Sequence, residues 1–290
     1  MFTGSIVALV TPFSDGEVDF ETLRELVDFQ IRSGVDGIVP VGTTGESPTL
    51  THEEHKEVIR VVVEEAAGRA PVIAGTGSNS TQEAIELTAY AREVGASGAL
   101  IVSPYYNKPT QEGLYQHFAA IAEAVDLPIV IYNIPPRCVI NIEPRTLAKL
   151  AEIENIVAVK EASGQLDQVS EIATSCDLTI LSGDDSLTLP IAAVGGKGVI
   201  SVVANIVPVD VKALTDAILE GDFATAQRWH NKLFRLSKAM LSMATNPIPI
   251  KAAMSLLQMA SDEMRLPMVP LSDSKKEQLR QILADYGLLH

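Results

Sequence analysis

Aromatic side chains are scarce in this chain: Phe, Tyr and Trp together make 5% of its 290 residues, with one tryptophan. The 47% that is hydrophobic is therefore mostly Val, Ile, Leu and Ala. That composition suits parallel strands buried on both faces and covered by Ala-rich helices. Cysteine is nearly missing. Cys138 and Cys176 are the only two and lie far apart, so a disulfide scaffold is excluded and free thiols in a reducing compartment are expected. Basic residues are outnumbered, 22 Lys and Arg against 37 Asp and Glu, for a formal net charge of −15. Such a surface repels phosphate backbones and anionic headgroups, so neither nucleic acid nor a membrane is an expected partner. Long apolar runs are missing too: nothing approaches the roughly 18 residues of a membrane span. The N-terminal MFTGSIVALVTPF has no basic region, and its apolar stretch is too short for an export signal. A cytoplasmic location is expected.

What the chain does have is alternation. Short apolar runs at residues 5–10, 36–40, 71–74, 98–102, 128–133, 156–160, 178–182 and 198–202 read as strands. Amphipathic stretches lie between them, as where Leu23, Leu26, Val27 and Ile31 share one helical face, with further helices around 58–63 and 84–91. Repeated strand–helix units mean a parallel sheet. Eight of them fit within about the first 220 residues, the size of a closed (β/α)8 barrel. An open doubly wound sheet would usually show a Gly-rich phosphate turn after its first strand, but here that strand runs into Thr11-Pro12-Phe13. The fold class is thus an α/β TIM barrel over residues 1–220. An appended helical region, 221–290, is expected to pack on the barrel or on a neighbouring subunit. Helical periodicity at 213–219 completes the eighth unit; 223–243, 249–259 and 274–286 form the tail.

Active sites in such barrels lie at the C-terminal strand ends. The sixth strand ends in Lys160. A lysine there either reaches the barrel mouth, where desolvation lowers its pKa toward that of an imine-forming amine, or pairs with Glu161 at the rim. The fifth strand ends in Tyr132, a proton relay or a packed core residue, followed by Arg137 after a double proline, a carboxylate fork or a solvated loop residue. After the second strand, Gly42-Thr43-Thr44-Gly45-Glu46-Ser47 offers hydroxyls and free N–H groups, a nest for a carboxylate or oxyanion; otherwise it is a turn leading to an N-cap at Thr51. Of the adjacent Tyr105 and Tyr106, at most one serves its own site, and the other is a candidate interface residue.

Other patterns carry less. His52-Glu53-Glu54-His55 is not the HExxH arrangement, and no metal site is expected. Gly75-Thr76-Gly77 lacks the third glycine of a dinucleotide turn, and Gly195-Gly196-Lys197-Gly198 precedes a strand where a phosphate loop precedes a helix. The acids of Gly183-Asp184-Asp185, in loop seven, disfavour a phosphorylated substrate.

Taken in order, Gly42-Thr43-Thr44-Gly45-Glu46, Ser103-Pro104-Tyr105-Tyr106-Asn107-Lys108-Pro109, Tyr132-Asn133-Ile134-Pro135 with Arg137, Val159-Lys160-Glu161-Ala162 and Gly183-Asp184-Asp185 closely resemble the dihydrodipicolinate synthase family. That family lies in the class I aldolase superfamily, which also contains N-acetylneuraminate lyase. The resemblance covers nearly the whole chain, including Asn246-Pro247-Ile248-Pro249-Ile250-Lys251. It implies a lyase of lysine and diaminopimelate biosynthesis that condenses pyruvate with L-aspartate 4-semialdehyde through a Schiff base on Lys160, without a cofactor. Tyr132 would relay protons with Thr43 and with Tyr106 of a neighbouring subunit. Thr44 would hold the pyruvate carboxylate, Arg137 the semialdehyde carboxylate, and Gly183 and Ile200 would line the pocket. The resemblance further implies a homotetramer of tight dimers and an L-lysine inhibitor site at Ser47, His52, His55, Asn79, Glu83 and Tyr105. One departure is Cys138, where the family usually has threonine; it bears on the setting of Arg137 and leaves a thiol near the entrance. The rival readings are a sugar-acid aldolase such as N-acetylneuraminate lyase and a non-catalytic regulatory barrel that binds an oxo acid.

Overall fold

The computed structural model describes residues 2–289. Eight parallel strands form the barrel: β1 (Gly4–Ala8), β2 (Gly37–Val39), β3 (Ile73–Gly75), β4 (Gly98–Val102), β5 (Ile129–Asn133), β6 (Ile156–Glu161), β7 (Thr179–Ser182) and β8 (Gly198–Ser201). Consecutive strands are neighbours, and β8 returns to pair with β1. A parallel bridge between Ile38 and Val72 joins β2 to β3 and closes the ring. The expected TIM barrel is what forms, with strand boundaries shifted by a residue or two. A short hairpin, Phe13–Ser14 with Glu17–Val18, adds a flap that the apolar pattern did not announce.

Side chains alternate across each strand, and the barrel sorts them. Ile6, Ala8, Val39, Ile73, Leu100, Val130, Tyr132, Ala158, Leu181 and Ile200 fill the interior. Phe2 plugs the N-terminal end; a Cβ at Gly98 would lie 2.8 Å from its ring, so only glycine leaves room for the plug. The opposite faces, with Ile129, Ile131 and Val159, pack under the helices.

The helices α1 (Phe20–Arg32), α2 (His52–Ala66), α3 (Thr81–Glu93), α4 (Gln111–Ala124), α5 (Pro135–Cys138), α6 (Pro144–Leu150), α7 (Leu166–Ser175), α8 (Thr188–Ala193) and α9 (Pro208–Leu219) surround the barrel. Their starts are capped as the sequence allows. Thr51 forms a capping box with Glu54 at α2, and Asp19 and Ser80 cap α1 and α3. The tail comprises α10 (Phe223–Ser242), α11 (Ile248–Leu256) and α12 (Asp273–Tyr286). It folds back onto the barrel, α10 packing on α8 and α9 and α11 on the turn after β8. Among the described residues no helix is long and apolar enough to cross a membrane.

Candidate active site

Lys160 and Tyr132 emerge side by side at the mouth because their strands put them there: they are register partners on β5 and β6, both facing inward. The lysine is 5% exposed, with Nζ 4.1 Å from the centroid of the tyrosine ring. Burial lowers its pKa to about 7; the Asp185 carboxylate opposes that fall and Arg137 assists it. Burial likewise pushes the Tyr132 phenol up to about 12, against the pull of Arg137 and of a hydrogen bond with the Thr43 side chain. At neutral pH about half of the amine is thus neutral, against a protonated phenol, and in that state one can attack a carbonyl while the other donates a proton.

The alternative partner for Lys160, Glu161, points the other way. As the next residue along the strand it faces out of the barrel, where it is 1% exposed. Its Oε2 accepts from Asn133 Nδ2 at 3.0 Å and Gln168 Nε2 at 3.1 Å, and its Oε1 from the Ser163 N–H at 2.7 Å. This buried network fixes the ends of β5 and β6 from outside while Tyr132 and Lys160 face the barrel interior.

Residues 42–46 form a tight turn. The N–H groups of Gly45, Glu46 and Ser47 are used within it, whereas those of Thr43 and Thr44 have no hydrogen-bond acceptor among the described residues. Backbone strain is present: Val41 has φ 47° and Glu46 φ 54°. The fold compensates from two sides. Gly75 lies so close that a Cβ there would be 2.4 Å from the Val41 carbonyl oxygen. Glu46 Oε1 accepts from Lys251 Nζ at 2.6 Å, and Lys251 also donates to the Thr11 carbonyl at 3.0 Å. Both partners of that ion pair are buried, at 1% and 2% side-chain exposure. The tail supplies a second contact through Asn246, which donates from Nδ2 to Thr44 Oγ1 at 3.1 Å and accepts at its backbone carbonyl from Arg137 Nη2 at 2.9 Å. Arg137 is otherwise exposed, on the one-turn helix α5 that the double proline starts.

Gly183 lies beside β6: its N–H donates to the Glu161 carbonyl at 2.9 Å, and a Cβ would be 2.5 Å from that of Ala162. Ile200 is inside the barrel, 1% exposed. Tyr106 stands apart from the rest, 89% exposed with φ 73°. Cys138 is 2% exposed and its thiol is pushed up by burial, so the residue is a packed thiol and not a reactive one. Sequence reading missed three residues of this site. Asp185, taken only for its charge, is buried, accepts the Val202 and Val203 N–H groups on Oδ2 at 2.9 and 3.2 Å, and has its pKa raised to about 6, chiefly by burial. The roles of Asn246 and Lys251 have no signal in their own surroundings beyond the resemblance.

Next to the site opens a cavity of about 390 Å³. Thr43, Tyr132, Arg137 and Cys138 line it together with Ser47, His52, His55, Glu83 and Tyr105, so five of the six candidate effector residues share its wall with the candidate catalytic groups. His52 Nε2 is 2.8 Å from Glu83 Oε1, and Ser78 also donates to Glu83. His55 bonds the Gly75 carbonyl through Nε2 at 2.7 Å, with Nδ1 3.4 Å from Ser47 Oγ. Burial lowers its pKa. Asn79 donates from Nδ2 to the Tyr105 carbonyl at 3.1 Å. Among the described residues no group of three or more His, Cys, Asp or Glu is placed to hold a metal ion.

Over its full length the chain is similar to known proteins. The family model described as the dihydrodipicolinate synthetase family matches residues 1–286. A 4-hydroxy-tetrahydrodipicolinate synthase of Geotalea daltonii is 56% identical, with all of both chains covered. The crystal structure of dihydrodipicolinate synthase from Aquifex aeolicus superposes with a TM-score of 0.97 at 54% identity, covering 99% of each chain. That of DHDPS from Cyanidioschyzon merolae, with lysine bound, gives 0.95 at 44% identity and the same coverage. Identity at this level over the full length places more than the fold in common, and the chain belongs to the dihydrodipicolinate synthetase family.

Proposed function

We infer that this chain is a 4-hydroxy-tetrahydrodipicolinate synthase, condensing pyruvate with L-aspartate 4-semialdehyde in the lysine and diaminopimelate pathway. The observation that carries the chemistry is the buried Lys160 amine, brought to a pKa of about 7 against the face of Tyr132 at the barrel mouth. Lys160 attacks the keto carbon of pyruvate, and the resulting carbinolamine loses water to an iminium. Loss of a methyl proton gives an enamine, whose carbon bonds to the aldehyde carbon while the aldehyde oxygen takes up a proton. The substrate's amine, once deprotonated, then attacks the imine carbon, closes the ring and releases Lys160. The covalent bond to Lys160 supplies the electron sink, so no cofactor enters.

Tyr132 carries the protons of these steps, aided by Thr43 and by Tyr106 from a neighbouring subunit. The exposure of Tyr106 and its left-handed backbone support that assignment, since its side chain makes no hydrogen bond among the described residues. A tight dimer follows, and two of these form the homotetramer. The unused N–H groups at Thr43 and Thr44 receive the pyruvate carboxylate and Arg137 receives that of the semialdehyde, while Gly183 and Ile200 shape the pocket. Residues 1–220 carry the chemistry and 221–290 brace it. The cavity wall of Ser47, His52, His55, Glu83 and Tyr105, with Asn79 behind it, takes L-lysine as an inhibitor: Glu83 faces its ammonium. Free cysteines fit a cytoplasmic enzyme.

Borohydride reduction in the presence of pyruvate, followed by peptide mass mapping, tests the reading. A reduced pyruvate adduct on Lys160 is expected. A folded sample that gives none, beside an intact control aldolase, would remove the imine mechanism.

A further inference from the structure

Tyr106 stands at the centre of a γ-turn. The Asn107 N–H donates back to the Tyr105 carbonyl at 2.9 Å, and Tyr106 between them has φ 73°. That hand of the turn is rare and strained, and a positive φ is an outlier for so bulky a side chain. Lys108 follows at φ 48°, and residues 103–110 contain no glycine to ease the path. Such a backbone persists only where its surroundings over-determine it. Here they do so through two asparagines. Asn79 Nδ2 donates to the Tyr105 carbonyl at 3.1 Å, the same oxygen that closes the γ-turn. Asn107 Nδ2 donates in return to the Asn79 carbonyl at 2.8 Å. This reciprocal clamp ties the loop after β4 to the loop after β3. Its far side is firm, because Asn79 adjoins Ser80, the N-cap of α3, whose own N–H donates to Ser78 Oγ at 3.1 Å. Both neighbours of Tyr106 are therefore anchored, while its own side chain is 89% exposed and makes no hydrogen bond among the described residues. Bonds of this kind fix the direction in which the phenol leaves the chain.

We propose that Asn107 is a positioning residue for the reaction: its bond to Asn79 holds the γ-turn that presents the Tyr106 phenol to the neighbouring subunit. The inference rests on the synthase reading and on the role given there to Tyr106. Asn107 meets no substrate and acts through Tyr106 alone. A phenol that relays a proton must stay within hydrogen-bond reach of its partners, and a misplacement of roughly 1 Å costs heavily in rate. With the clamp released, the backbone at Tyr106 relaxes toward negative φ and the phenol spends less time in place. The residue type at 107 matters for its donor. Alanine has no amide to offer the Asn79 carbonyl. Aspartate keeps the shape but, when ionised, faces that carbonyl with a second acceptor. The pyruvate nest at Thr43 and Thr44 belongs to a different loop, so its hold on the keto acid is untouched.

The test measures kcat and pyruvate KM for the native enzyme, N107A, N107D, Y106F and the double variant Y106F/N107A. N107A and N107D are each expected to lower kcat about fivefold or more, the effect of losing one hydrogen bond, with pyruvate KM held within about twofold. In the Y106F background N107A is expected to add no further loss, because the phenol it positions is gone. A residue that merely supports the loop would cost the same factor in both backgrounds. Native kcat in N107A or N107D, or an equal further loss in Y106F, would overturn the role of Asn107. So would a rise in pyruvate KM that matches the fall in kcat, or a smaller assembly for N107A than for native enzyme by light scattering. Two outcomes reach further back. Native kcat in Y106F removes the role of Tyr106 and the proposal with it, and no borohydride-trapped pyruvate adduct in the native enzyme removes the synthase reading itself.

Discussion

Lys160 and Tyr132 are register partners on adjacent parallel strands, and the lysine nitrogen lies 4.1 Å from the centroid of the tyrosine ring. Two opposed effects meet there. The ring face attracts a cation, by about 2 kcal/mol when the pair is desolvated, and so favours the ammonium. Burial favours the amine. The lysine's fall from 10.5 to about 7 reflects burial, with Arg137 adding to it and Asp185 opposing it. The barrel thereby keeps half of its nucleophile neutral at neutral pH, against about one part in a few thousand for a solvated lysine.

Imine formation should therefore follow the neutral fraction of Lys160. Above pH 7 the rate of pyruvate trapping is expected to level off, and below it to fall about tenfold per pH unit. The mutant K160R, permanently charged, should trap none. A trapping rate still rising tenfold per unit between pH 8 and 9 would contradict the lowered pKa.

Asp185 holds the lysine's pKa up, so removing its charge should lower it further. In D185N the midpoint of the trapping profile is expected to move to lower pH, making imine formation faster at pH 6 than in the native enzyme. Asparagine keeps an oxygen to accept the Val202 and Val203 N–H groups. A midpoint moved upward, or not at all, would show that Asp185 does not reach Lys160 electrostatically.

The sequence exposes the strand ends and conceals the bracing. Lys160 and Tyr132 are legible because a period-2 apolar strand ends in each, and a barrel puts all such ends at one mouth. The four-residue helix α5 and the hairpin at Phe13 are too short to leave a periodicity. Glu161 was open as a partner for Lys160 only until strand alternation turned it outward into the Asn133 and Gln168 network. The Lys251–Glu46 and Asn246–Thr44 contacts join residues about 200 positions apart. They depend on a left-handed residue at Glu46, which no local pattern signals.

Breaking the Glu46–Lys251 pair should cost more than deleting it. The mutant K251M leaves a buried carboxylate and E46Q a buried ammonium; each is expected to destabilise by about 3–5 kcal/mol. The double replacement should recover much of that in urea unfolding. The strained turn would still have lost its anchor, so the pyruvate KM of the double variant should rise. Additive losses in the two single variants would mean that the residues do not act as a pair.

His117 contributes to the acid sensitivity of the fold. It lies on α4, 5% exposed, with Nδ1 2.9 Å from Thr81 Oγ1, and its Nε2 is buried without a hydrogen-bond partner among the described residues. Burial lowers its pKa from 6.5 to about 4. The unfolded chain thus takes up this proton near pH 6.5, and the folded chain only near 4. Between those values the unfolded state binds more protons, so stability falls as pH falls. The contribution is complete above pH 6.5 and lost on the way down to about 4, amounting to on the order of 2–3 kcal/mol. In H117N, which keeps a polar group toward Thr81 but cannot take the charge, the drop in unfolding free energy between pH 7 and pH 4.5 is expected to be smaller by about that much. Carboxylates titrate in both proteins, and their effect cancels in the comparison. Equal drops in the two proteins would place the acid sensitivity elsewhere.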